Sequence, residues 1–174
     1  YHQSQSGMSS GYFHFNSTSG FGSGYTAVWN STDPTSSVVS IGTDPETGGS
    51  TGTYVAYCFA PVEGYSVMNS FTGNGSTDGP FIYTGFKVAF LMMKTSSTSG
   101  NDWYIFDNKR EAEYNPSTKP LYPNAAYAEQ GDSRPVDLLS NGFKIRYNQF
   151  FNASSATVIY MAFASNPFRT ARAR

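Results

Sequence analysis

The 174-residue sequence is poor in the residues that carry most protein chemistry: it has one cysteine, two histidines and few charges. A lone thiol, Cys58, cannot close an internal disulfide, so a small stapled scaffold is excluded. Charged residues are 13% of the chain, with Lys+Arg 11 against Asp+Glu 12 and a formal net charge of −1. That balance lacks the clustered cations that displace counterions from a duplex, so no nucleic-acid partner is expected. No apolar run approaches the ~18 residues that span a bilayer, so no membrane insertion is expected. The chain has neither an initiator Met nor a basic-then-apolar leader, and reads as a fragment or a processed product.

Catalytic signatures are missing too. There is no G-x-S-x-G elbow, no phosphate-cradling glycine loop and no H-E-x-x-H. His2 and His14 have no cysteine partner and no carboxylate at ligand spacing, so no metal and no cofactor is expected. Cys58 lies in an apolar run and reads as a small buried hydrophobe. Two carboxylate pairs remain for glycoside chemistry, Asp102 with Asp107 and Glu111 with Glu113. The first pair differs by an odd number and would face opposite sides of one strand; the second falls in a loop. No catalytic residue is assigned.

What the sequence does have is aromatic surface: 13 Tyr, 14 Phe and 2 Trp, or 17%. That load excludes a disordered solvating tail. Ser, Thr, Asn and Gly together supply 69 of the 174 residues, which describes short aromatic strands joined by polar turns. Strands are expected over residues 66–71, 85–94, 102–108, 143–147 and 156–164. The runs at 85–94 and 156–164 are apolar at consecutive positions, as in strands buried on both faces, and 156–164 is expected to be central. Residues 95–101 read as a hairpin loop. Residues 109–135 carry four prolines and read as irregular, with at most one helical turn at 110–114. The class is all-β: an antiparallel β-sandwich, jelly-roll or lectin-like.

Two segments match at an offset of 104 residues without a gap, from Asp33 and Asp137 to Ala60 and Ala164. Ile41 meets Ile145, Ser50 meets Ser154, Thr53 meets Thr157, and a Phe-Ala pair closes both. On this reading residues 1–61 are the C-terminal part of a first repeat unit, a truncated copy without its opening strands. Residues 62–174 are then a complete second unit with a C-terminal tail. Residues 53–60 and 156–164 should be equivalent strands with Phe59 and Phe163 both buried, and Phe163→Ala should cost ~3–5 kcal/mol.

The densest mixture of rings and charge is Trp103-Tyr104-Ile105-Phe106-Asp107-Asn108-Lys109-Arg110. As a ligand site, Trp103 and Tyr104 would stack on sugar rings while Asp107, Asn108 and Arg110 bond hydroxyls. As structure, the same run is a core strand leaving into a turn whose Asp and Asn satisfy local backbone groups.

Longer strings resemble a known family. They are Trp29-Asn30-Ser31-Thr32-Asp33-Pro34-Thr35-Ser36-Ser37-Val38, then Phe71-Thr72-Gly73-Asn74-Gly75-Ser76-Thr77-Asp78-Gly79-Pro80, and the close Ala162-Phe163-Ala164-Ser165-Asn166-Pro167-Phe168. The chain resembles a domain of unknown function that recurs, often in tandem, in virion proteins of tailed, notably marine, bacteriophages. The resemblance implies a non-enzymatic structural protein of an external fibre or surface appendage, located on the virion surface. Its expected partners are copies of itself or other virion proteins. It brings no catalytic residues. The alternatives are a carbohydrate-binding module that recognises a host-surface glycan, and a glycan depolymerase.

Overall fold

The computed structural model describes residues 1–110, 115–129 and 134–166. Near the N-terminus, β1 (Gly11–Tyr12) pairs with β2 (Gly22–Ser23), and α1 (Thr26–Trp29) is a single helical turn. The main body holds β3 (Ser66–Thr72), β4 (Phe81–Tyr83), β5 (Val88–Thr95), β6 (Trp103–Asp107), β7 (Val136–Leu139), β8 (Gly142–Ile145) and β9 (Thr157–Ala164). They form two antiparallel sheets, ordered β3-β9-β5-β6 and β4-β8-β7. The fold is the expected all-β, sandwich-like one. As expected, β9 sits inside its sheet, β5 and β6 form a hairpin, and the segment before β7 is irregular where it is described.

Between the sheets lies a core of Leu91, Met93, Tyr104, Phe106, Phe143, Val158, Tyr160 and their neighbours. Phe143 stands edge-on to Tyr160, ring centroids 5.1 Å apart, so the two sheets meet through aromatic rings. Gly142 begins β8 because a Cβ there would lie 2.1 Å from the Ile82 carbonyl oxygen of β4. Only glycine lets the two strands approach at that point.

The other face of the four-stranded sheet is apolar as well: Met92, Trp103 and Ile159, with Phe90, Ile105 and Met161. The N-terminal segment covers it. Phe13 packs there, the Trp103 indole donates to the His14 carbonyl at 2.8 Å, and Phe15 stacks on the indole at 4.6 Å. Farther along, the Phe21 N–H donates to the Ser96 carbonyl and the Gly100 N–H to that of Thr18. This second cover explains why β5 and β9 are apolar at consecutive positions.

Lys94 of β5 is sealed beneath that cover, where its ammonium donates to the Asn101 carbonyl. Burial pulls its pKa down to about 8, with Asp102 opposing the fall. On the core side, burial pushes the Tyr160 hydroxyl up to about 12.

Three expectations need correction. Residues 53–60 form no strand and are exposed, although 157–164, their sequence match, are central in a sheet. Phe59 is exposed and Phe163 only half-buried, their rings meeting edge-on at 5.8 Å. Cys58 is exposed rather than packed in an apolar strand. The reason is context: β9 has ladders on both sides, from β3 and β5, whereas residues 53–60 have none among the described residues, and β propensity acts only where a sheet receives it. Residues 36–41, matched to a stretch that includes β8, likewise form no strand. The helical turn expected at 110–114 falls mostly outside the described residues.

Two predictions follow from this packing. Phe143→Ala, at a fully buried ring, should cost ~3–5 kcal/mol, and Phe163→Ala clearly less, as read from urea midpoints. A lysine whose folded pKa lies below its unfolded value near 10.5 carries a penalty that is full below pH 8 and is relieved as pH rises. Stability should therefore climb between pH 8 and 10, by up to ~3 kcal/mol, before tyrosine ionisation in the unfolded chain reverses the trend. Lys94→Met should flatten that climb.

Candidate functional site

The run singled out in the sequence is β6 and the turn after it. Trp103 and Tyr104 are both buried, on opposite faces of the sheet. Tyr104 packs against Phe151 at 5.0 Å and Tyr122 at 5.4 Å, and the Arg134 guanidinium lies 5.5 Å from its ring centre. Neither ring offers a face to a sugar. Asp107 accepts the Lys109 and Arg110 N–H groups at 2.9 Å each and the Arg110 Nε at 2.6 Å. Burial acts to raise its pKa, but these hydrogen bonds outweigh it and hold the carboxyl below its ordinary value. Arg110 also donates to the Lys119 carbonyl at 2.7 Å. The Asn108 N–H donates to the Ala89 carbonyl, and its side-chain oxygen is buried without a partner among the described residues. The five residues thus join the core to a turn: Asp107 caps the turn and Arg110 ties it to residue 119.

The pair Asp102 and Asp107 does not assemble either. Asp102 accepts the Asn124 amide at 2.7 Å while Asp107 is held by Arg110, and Glu111 and Glu113 lie outside the described residues. His2 sits near the core, donating Nε2–H to the Tyr160 carbonyl at 3.1 Å while the Ser4 hydroxyl donates to Nδ1 at 2.9 Å. Burial lowers its pKa, against the opposing pull of that carbonyl, so it carries this one proton and is neutral. Among the described residues no three His, Cys, Asp or Glu side chains gather as metal ligands.

A different constellation lies in the N-terminal cover. Tyr1, Tyr12, Phe13, His14, Val28, Trp29, Asp44, Glu46 and Thr47 line a cavity of about 210 Å³. The indole N–H of Trp29 donates to the Gly11 carbonyl at 2.8 Å, which fixes the ring in the wall. Tyr12 lies edge-on to His14 at 4.7 Å, and His14 Nδ1 is 3.9 Å from the Glu46 carboxylate. Rings for stacking beside carboxylates for hydroxyl groups suit a polar ligand with an apolar face. The only sequence signal here is the density of rings in residues 12–15, because the cavity is closed by residues thirty positions away.

A second exposed feature is the outer face of the three-stranded sheet. Phe81 and Tyr83 alternate with buried Ile82 on β4, an end strand, and remain 45% and 68% exposed. Beside them Lys144 reaches Asp78 at 2.7 Å, and Arg146 reaches Asp137 at 2.6 Å. The Lys144 hydrogen bond is the main reason that the Asp78 carboxyl sits below its ordinary value.

The model of a domain of unknown function, DUF7483, matches residues 1–167. The chain belongs to that family. No curated protein and no solved structure matches it. The DUF7483 domain therefore includes the N-terminal cover as well as both sheets.

Asp107→Ala in this domain should lower stability by about 1.5–3 kcal/mol at neutral pH, through loss of charged hydrogen bonds. Because the folded pKa is depressed, that contribution is full above the ordinary carboxylate range, near pH 4, and disappears as pH falls through the folded value. Acid unfolding of the variant should accordingly be less steep.

Proposed function

We propose that this DUF7483 chain is a non-enzymatic structural protein of a tailed-bacteriophage particle, part of an external fibre or surface appendage. It works there beside copies of itself or other virion proteins, in units repeated in tandem. The strings at 29–38, 71–80 and 162–168 support the phage context. The observation that carries an assembly role is the aromatic pair on β4: Phe81 and Tyr83 stand side by side on an end strand. Contiguous exposed rings mark contact surfaces, and open strand edges invite pairing. Contact through this face closes an oligomer if symmetric and extends a filament if head-to-tail.

Sedimentation at micromolar concentration tests this reading. The chain should sediment as an oligomer, and a Phe81→Ser/Tyr83→Ser variant as a folded monomer. A monomeric parent chain defeats the assembly role. Gold-labelled antibody against the domain should decorate the particle exterior.

The cavity of Tyr12, His14 and Trp29 favours a second reading, a module that binds a host-surface glycan. On a glycan array Trp29→Ala should then lose at least tenfold in binding, while Trp103→Ala loses stability instead. Release of oligosaccharides would point to the depolymerase.

A further inference from the structure

Residues 53–60 carry the composition of a strand and stop one rung short of a sheet. The Val62 N–H donates to the Ser66 carbonyl at 3.0 Å and the Ser66 N–H to the Val62 carbonyl at 2.9 Å. This is the first hydrogen-bonded rung of an antiparallel hairpin, and Gly64, at φ +74°, makes the turn. Tyr65 bonds toward β9, its carbonyl accepting the Ala164 N–H at 2.8 Å. Along β3 the odd residues therefore face β9, and the even residues Ser66, Met68 and Ser70 turn their backbone groups to the outer edge.

Side chains now occupy that edge. The Gln3 amide donates to the Met68 carbonyl at 3.3 Å, and the Ser70 N–H bonds its neighbour Asn69 at 2.8 Å. The Ala60 carbonyl is held by the Ser66 hydroxyl at 2.8 Å.

We propose that residues 53–60 close on the outer edge of β3 as a fifth strand, in the register set by the Val62–Ser66 rung. Ala60 then pairs with Met68, Cys58 with Ser70 and Ala56 with Thr72. Pro61 falls opposite Val67, at a position that needs no N–H from it. The register sorts the faces, and closure carries the Phe59 ring from its edge-on contact with Phe163 on the outer face to the core side. Val67 and Phe71 of β3 point into the inter-sheet core. The same alternation places Val55, Tyr57 and Phe59, now 77%, 83% and 59% exposed, on that core side. The small side chains Ala56, Cys58 and Ala60 take the other side. A one-residue slip would reverse this sorting. The arm is a strap, open as seen, that extends the four-stranded sheet when shut.

The native thiol supplies the test. Cys58 is the only cysteine, and in the closed register its Cα lies ~5.5 Å from that of Ser70, within disulfide reach. Under mild oxidation Ser70→Cys should form a disulfide within one chain. Asn69→Cys, whose side chain points to the opposite face, should do so at least tenfold more slowly. In the unaltered protein, hydrogen exchange at the Cys58 and Ala60 amides should be slowed at least a hundredfold relative to an unstructured peptide. Free thiols in Ser70→Cys with unprotected amides overturn the proposal. A covalent dimer as the main product also overturns it, showing that the edge takes the arm of a second copy.

Discussion

A sheet with apolar side chains on both faces has to be covered twice, and the rest of the molecule is arranged around that requirement. β5 and β9 carry Leu91, Met93, Val158 and Tyr160 on one side and Met92, Ile159 and Met161 on the other. The three-stranded sheet covers the first face. Residues 13–21 cover the second, held by the Trp103 indole and by backbone bonds to the β5–β6 loop. The glycine-, serine- and aromatic-rich N-terminus is therefore an outer layer of the core, although it contains little regular structure.

That layer is also the least legible in the sequence. The strands β3, β5, β6, β8 and β9 are visible as β-branched and aromatic runs between turn clusters. β4 and β7 are three and four residues long, too short for a period to develop. The cover has no period at all, since its side chains are placed by the sheet beneath them. Trp103 and Tyr104 illustrate the limit for the site. Ring-rich composition suits sugar stacking, yet Ile105 and Phe106 follow directly, so both faces of the strand are apolar and both rings are taken up by packing. The cavity at Tyr12, His14 and Trp29 could not be read from spacing because Asp44 and Glu46 reach it only through tertiary folding.

The few charges are used locally. Asp107 and Arg110 close the turn after β6, and Asp78, Lys144, Arg146 and Asp137 form one chain of contacts beside β4. Partly buried pairs of this kind fix where a turn or a strand end sits, and removing one partner costs more than the pair adds, because the other is left unpaired. Asn152 does similar work without charge. Fully buried, it donates to the Ser76 and Tyr147 carbonyls and accepts the Asn74 N–H, binding the loops before β4 and β9 together.

The central position of β9 also bears on the order of folding. The strand made last is the one between β3 and β5, and His2 reaches across 158 residues to its backbone. Until β9 is made, the large sheet has no middle, and the cover can meet only the β5–β6 hairpin through Trp103 and the 96–100 loop. Contacts so distant in sequence are slow to form because long loops must close first. The His2 bond to Tyr160 and the packing against Ile159 and Met161 complete both layers only once β9 is in place.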